Sequence, residues 1–337
     1  MSNSKITLAA LFALLLMTYS CNKESPGAFG DLSRSFISTV GCTDTTTSFA
    51  PLNYSPGSVT TDSVMVDTAR SFKMYVPTSY DSTEAYPLVI MFHGTNQNAQ
   101  IMINKTSWNQ EAETEGFVVL YPNALKYLLG GVPTSKWRTE GALLAIDFGQ
   151  IMRDDLSFVR DMIKKTYGTL NINCNKIYAC GFSNGGGFVK SELRIHMDNT
   201  FAATGNMGGM GLQTSLVPDH GLHMPHFEVL GTMDANKLAI CSLVELPDDS
   251  VNIVAEPCVM DRMETMRISL NLDVLDVVDE VYGPLTIEYA DFHYKTSFLA
   301  QNTEYRFRMI KGLIHKIPSK NWTTDYVPIF WDFFKAF

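Results

Sequence analysis

One pentapeptide constrains this chain more than any other feature. Gly181-Phe182-Ser183-Asn184-Gly185 is a G-x-S-x-G sequence between Lys176 to Cys180, which reads as a strand, and Gly186 to His196, which reads as a helix. In that context the pentapeptide is a nucleophile elbow. The turn holds its serine in strained backbone geometry, and a side chain at either glycine would meet neighbouring backbone. Ser183 is thereby lifted above a sheet edge. The amides of the following helix N-terminus are aimed where negative charge develops during acyl transfer.

Strands and helices alternate on both sides of the elbow. Ser71 to Val76, Pro87 to Phe92 and Phe117 to Tyr121 are short runs rich in β-branched and aromatic residues, as are Phe201 to Gly205 and His226 to Leu230, and all read as strands. Ala99 to Glu115 has helical composition, and Asp154 to Tyr167 places Leu156, Val159, Met162 and Ile163 on one helical face. Such alternation predicts an α/β fold, a mostly parallel central sheet with helices on both faces. The period is interrupted from Leu238 to Thr303, which holds a helix around Asp261 to Leu270 and a strand-like run from Leu285 to Tyr294, and reads as an insertion near the active-site rim. A last strand, Glu304 to Ile310, and an amphipathic helix, Asp325 to Phe337, close the chain. With 337 residues, 45% of them hydrophobic, the chain can bury one large core. We therefore expect one catalytic domain over residues 63–337, its packed part starting near Val64, preceded by a Ser/Thr/Pro/Gly-rich tether over 22–62.

Lys5, the apolar run Ile6 to Met17 and the residues up to Cys21 have the layout of a secretory signal and are too short to span a bilayer. Thr18-Tyr19-Ser20-Cys21 resembles a bacterial lipobox, so residues 1–21 place the protein outside the cytoplasm, lipid-anchored at Cys21 or secreted after cleavage near Ser20. The net charge of -9, with no Lys/Arg-rich run, excludes the electrostatic footprint of a nucleic-acid binder and favours neutral substrates. Beyond Cys21 stand five cysteines, Cys42, Cys174, Cys180, Cys241 and Cys258, so at least one thiol is left unpaired. Cys174 and Cys180, around a strand, read as core-filling.

A serine hydroxyl needs a base to take its proton, and the base needs a carboxylate to orient it and to stabilise its cation. For an elbow of this kind the chain order is serine, acid, histidine. Asp234 directly follows an apolar strand, whereas Asp219, Asp248 and Asp249 lie in polar loops, so Asp234 is the candidate acid. Only His293 and His315 follow it. His293 lies within a strand-like run, and His315 stands between the last strand and the last helix, so His315 is the candidate base. His93-Gly94 closes a strand and resembles the HG element whose loop supplies an oxyanion-hole amide; the Thr95 and Asn184 amides are the candidate donors, and His93 itself reads as a brace. His220, His223 and His226 suggest a metal triad only until Gly221 and Pro225 are noticed, which prevent a helix from aligning them; no metal is expected. Asp154 and Asp155 read as helix-capping carboxylates. Trp137 is a candidate wall of the substrate pocket, with a packing role as the alternative.

Taken together, the motifs resemble the α/β-hydrolase group that joins polyhydroxybutyrate depolymerase-like, feruloyl esterase and acetylxylan esterase enzymes. The resemblance rests on Arg70 to Pro77, Tyr86 to Gly94, Asp154 to Val159, Ile177 to Gly186, Gly231 to Asp234 and Phe330 to Phe334. It implies a Ser183, Asp234, His315 triad, no cofactor, and carboxylic esters as substrates, either acyl groups on plant oligosaccharides or hydroxyalkanoate oligomers. Ile314 stands where such proteins often carry a glycine before the histidine, and residues 238–303 lack a family signature. Two rival readings are a serine peptidase on the same fold and a non-catalytic, glycan-binding surface lipoprotein.

Overall fold

Apolar runs bounded by turn residues become the strands of one large sheet. The computed structural model describes residues 49–197, 199–209, 224–282, 287–295, 303–320 and 323–337, with the backbone alone at 274–278. The signal-like segment with Cys21, the tether up to residue 48 with Cys42, and Asp219, His220 and His223 lie outside the described residues. The strands are β1 (Val59–Met65), β2 (Ala69–Tyr75), β3 (Tyr86–Phe92), β4 (Val118–Pro122), β5 (Lys126–Leu129), β6 (Val132–Ser135), β7 (Ile172–Phe182), β8 (Ala203–Met207), β9 (His226–Met233), β10 (Val274–Tyr282), β11 (Ile287–Lys295) and β12 (Glu304–Ile314). All but the β5-β6 hairpin join in the order β1-β2-β4-β3-β7-β8-β9-β12-β11-β10. Strands β4, β3, β7, β8, β9 and β12 run parallel in the centre. Antiparallel pairs finish both ends.

The helices are α1 (Ala99–Lys105), α2 (Trp108–Glu115), α3 (Glu140–Ala145), α4 (Asp155–Tyr167), α5 (Asn184–Phe188), α6 (Arg194–His196), α7 (Ala235–Cys241), α8 (Ser250–Ala255), α9 (Pro257–Ser269) and α10 (Tyr326–Phe334). Side chains alternate across a strand, so β3 feeds two cores at once. Val89 and Met91 pack with Met102, Trp108, Phe330 and Phe334 of α1, α2 and α10. Leu88, Ile90 and Phe92 pack with Phe158, Val159 and Met162 of α4 and with Phe188 of α5. Both faces of the parallel centre are therefore covered, as its unbroken apolar strands require.

Several sequence expectations are corrected. The packed chain begins well before Val64: Leu52 is buried, its amide donates to Thr169 Oγ1 at 2.9 Å, and β1 starts at Val59. Its polar composition reflects an edge strand with one solvated face. The helical composition of Ala99 to Glu115 becomes two helices with a break at Thr106, whose extended backbone directs both its amide and its Oγ1 to Met102 O. Residues 238–303 are only in part a rim insertion. β10 and β11 extend the main sheet, and alternate residues of β11 and β12, among them Phe292, Tyr305 and Phe307, build a third core with Met263 and Met266 of α9. Cys174 is disulfide-bonded rather than a core filler, Cys241 pairs with Cys258, and Cys180 is a buried free thiol.

Inside the parallel centre, Glu228 of β9 is fully enclosed among cations. Its carboxylate takes Lys190 Nζ at 2.8 Å, the Arg262 guanidinium, and Tyr305 Oη at 3.2 Å. Burial pushes this carboxyl up, but Arg262 and Lys190 outweigh it and hold the group far below the usual range. Glu228→Gln takes this counter-charge from the buried Lys190 and the partly buried Arg262. It is expected to lower stability by about 3–5 kcal/mol, measured as a fall in the urea midpoint.

Candidate active site

The elbow has the geometry its sequence demands. Ser183, at the end of β7 and the N-cap of α5, holds φ 52° and ψ -119°. Close approach explains the flanking glycines: a Cβ on Gly181 would lie 2.4 Å from Gly185 C, and one on Gly185 would lie 2.4 Å from His93 O. The strand end at Phe92-His93 and the start of α5 thus touch through backbone alone.

Two distant loops bring the other candidate residues to Ser183. His315 Nε2 lies 2.9 Å from Ser183 Oγ, and His315 Nδ1 lies 2.8 Å from Asp234 Oδ2. Asp234 follows β9 as the N-cap of α7, and its other oxygen, Oδ1, accepts the amides of Asn236 and Lys237. Capping fixes the carboxylate and leaves one oxygen for the imidazole. His315 is presented by an irregularity in β12, where the register against β9 jumps between Ile310 and Ile314. Gly312, at φ 68°, makes that turn, so Ile314 need not be glycine.

Residues around this core fall into place less evenly. Thr95 lines the same cavity as Ser183 and His315. Asn184 occupies the first position of α5, where an amide has no intrahelical acceptor; its side chain clamps the Trp137 backbone, Oδ1 accepting Trp137 N at 2.7 Å. Trp137 does not line the pocket and its reading as a substrate wall is corrected: it is 0% exposed, packed on Phe92, Phe158 and Phe188, and its Nε1 donates to His93 O at 2.9 Å. An indole needs a partner for its N–H when buried, and here the partner is the loop that carries Thr95. His93 is a brace, with Nδ1 donating to Gly94 O at 2.7 Å and Nε2 accepting Ala124 N at 3.0 Å. Asp154 caps α4, whereas Asp155 is buried against Arg70 and accepts the Arg138 amide.

Two further histidines among the described residues, His226 and His293, are engaged elsewhere. His226 is buried between Thr204 Oγ1 and Asn206 Nδ2, each at 2.9 Å. His293 of β11 pairs with Asp291 and Glu304, and although burial opposes it, these carboxylates raise the imidazole to about 9.

Sequence reasoning missed the support beneath Asp234 and His315. Gly208, at φ 58°, sits where a Cβ would lie 3.1 Å from Asp234 Oδ2 and 3.2 Å from His315 Nδ1. The next carbonyl, Gly209 O, accepts Lys237 Nζ at 3.0 Å and Arg262 Nη2 at 2.6 Å. Arg262 is held one turn into α9, which the Cys241–Cys258 disulfide ties to the end of α7. The Gly208-Gly209 pair was the only signal in the sequence, and it named no partner.

Fold and elbow together define an α/β-hydrolase with a serine at the nucleophile position. Residues 70–217 match the model of the family described as Esterase PHB depolymerase, which spans β2 through β8 and the elbow. The chain is accordingly similar to the polyhydroxybutyrate depolymerase-like, feruloyl esterase and acetylxylan esterase group to which its motifs point. A bifunctional acetylxylan esterase/xylanase from Neocallimastix patriciarum is 30% identical over 168 residues, 49% of this chain. The chain spans about a fifth of that relative, 21% of its length. Among solved structures, an acetyl xylan esterase from Aspergillus awamori superposes with a TM-score of 0.55 at 14% identity, covering 83% of this chain and 99% of its own, a likeness of fold.

Two outcomes follow. Gly208→Ala adds a Cβ against the Asp234-His315 pair in a left-handed position and is expected to slow fluorophosphonate labelling of Ser183 about 10²-fold at a stability cost of about 1–2 kcal/mol. Burial also pushes the His93 imidazole down to about 4, against an ordinary 6.5, with its bond to Gly94 opposing the shift. The unfolded chain takes up that proton first, so His93's contribution is fully present above pH 6.5 and is lost as pH falls toward 4, roughly 3 kcal/mol in all. Urea titrations over that interval should show a steeper loss for the native protein than for His93→Gln.

Proposed function

We propose that the protein is an extracytoplasmic serine esterase that hydrolyses carboxylic esters through Ser183, His315 and Asp234. The observation that carries this reading is the unbroken relay from Ser183 Oγ through His315 to Asp234, with bonds of 2.9 and 2.8 Å, built on a strained elbow. His315 Nε2 takes the hydroxyl proton as Ser183 attacks the ester carbonyl, and Asp234 stabilises the imidazolium. The Thr95 and Asn184 amides hold the oxyanion. His315 then passes its proton to the leaving alcohol, and a water, deprotonated by the same imidazole, releases the acid and restores Ser183.

A cavity of about 450 Å³ lies over Ser183, bounded by Gly94, Gln97, Phe182, Asn236 and Ile317 among others. It suits a short acyl group on an oligosaccharide, acetyl or feruloyl, or a hydroxyalkanoate ester. The Cys241–Cys258 disulfide supports an oxidising compartment and agrees with the signal-like N-terminus, whose Cys21 would carry the lipid anchor.

Ser183→Ala and His315→Ala are expected each to lower kcat for p-nitrophenyl acetate by roughly 10³-fold or more, with thermal midpoints close to that of the native protein. Full activity in Ser183→Ala, or cleavage of a peptide anilide in preference to the ester, would refute the assignment.

A further inference from the structure

One buried hydroxyl joins the strand that leads to Asp234 to the turn that presents His315. Thr232 of β9 is fully buried, and its Oγ1 accepts the Gly312 amide at 2.9 Å, across 80 positions of chain. The bond is made where the regular ladder stops. β12 pairs with β9 as far as Ile310 opposite Gly231 and again at Ile314 opposite Met233, so β12 takes four steps where β9 takes two. Gly312, at φ 68°, lies in this surplus. An amide on such a bulge falls out of the ladder, and the threonine hydroxyl gives it an acceptor. Glycine at position 231 permits the approach, because a Cβ there would overlap Leu313 O.

The backbone of the same threonine is held by a third segment. Its carbonyl accepts the Leu246 amide at 2.9 Å, Leu246 is buried in the third core, and two residues further on Asp248 pairs with Lys311 at 2.6 Å. Residues 246–248 therefore contact both the end of β9 and the residue before Gly312. Partly exposed ion pairs hold little, so the enclosed Thr232 hydroxyl is the stronger tie between strand end and turn.

Resting on the esterase reading, we propose that Thr232 is a positioning residue whose hydroxyl fixes the Gly312 turn and thereby holds His315 within reach of Ser183 and Asp234 at once. The tolerance is narrow. His315 spans bonds of 2.9 and 2.8 Å to two side chains fixed by other elements, Ser183 by the elbow and Asp234 by its cap on α7. A displacement of the turn by about 1 Å is not absorbed at both ends, and misplacement of that size costs up to about 10²-fold in rate. Acylation and deacylation use the same imidazole, so the loss falls on kcat while substrate binding is kept.

Thr232→Val keeps the side-chain shape and removes the acceptor, whereas Thr232→Ser retains it. In the full-length protein Thr232→Val is expected to lower kcat for p-nitrophenyl acetate about 10-fold or more with KM within about twofold of native, and Thr232→Ser to stay within about threefold of the native kcat. Thr166→Val removes another enclosed threonine bond, Oγ1 to Met162 O at 2.8 Å in the last turn of α4, and should leave kcat unchanged. The rate of fluorophosphonate labelling of Ser183 should follow the same order, and it needs no ester. A native kcat in Thr232→Val, a Thr232→Ser variant as slow as Thr232→Val, or an equal loss in Thr166→Val would overturn the proposal. Absence of ester turnover beside a labelling rate that depends on the Thr232 hydroxyl would overturn the esterase reading and leave the positioning role standing.

Discussion

The end of β3 and the start of α5 approach so closely that only hydrogen fits between Gly185 and the carbonyls of Phe92 and His93. That contact forces the chain to turn at Ser183 with φ 52°, a conformation that costs a non-glycine residue on the order of 1–3 kcal/mol. The strain persists because the surroundings over-determine it: Ser183 N is bonded to Met207 O of β8, and Gly187 N to Ser183 O. The same contact brings the Thr95 loop beside the first amide of α5. Trp137 holds both sides of this junction, its ring nitrogen bonded to His93 O and its backbone to Asn184. An aromatic that reads in sequence as a pocket wall is instead the pin of the oxyanion-loop candidate.

Asp234 and His315 have a support of their own. Lys237 and Arg262 converge on Gly209 O, and Gly208 fills the space against Asp234 and His315. Arg262 also binds Glu228, so one guanidinium links the backbone beside Asp234 to the buried carboxylate of β9. The disulfide between α7 and α9 fastens the helix capped by Asp234 to the helix that carries Arg262. Residues 238–303, which in sequence look like an appendage, thus include part of the foundation of the site.

Legibility followed the range of the interactions. The elbow, the strand before it and the helix after it were readable because glycine spacing and apolar runs act over a few residues. Asp234 and His315 were readable in order and context, each just past an apolar strand, although 81 positions separate them. Thr106 escaped notice because a helix break made by one hydroxyl is invisible in composition. Trp137, Gly208, Lys237 and Arg262 escaped because their roles are set by partners far along the chain.

By itself the sequence determined the alternation of strand and helix and the strained serine turn, since each depends on local backbone preference or apolar periodicity. Tertiary structure alone decided which side chains became scaffold and which faced the cavity, and that β10 and β11 join the main sheet. Those outcomes depend on through-space distance, and a linear order of residues does not specify it.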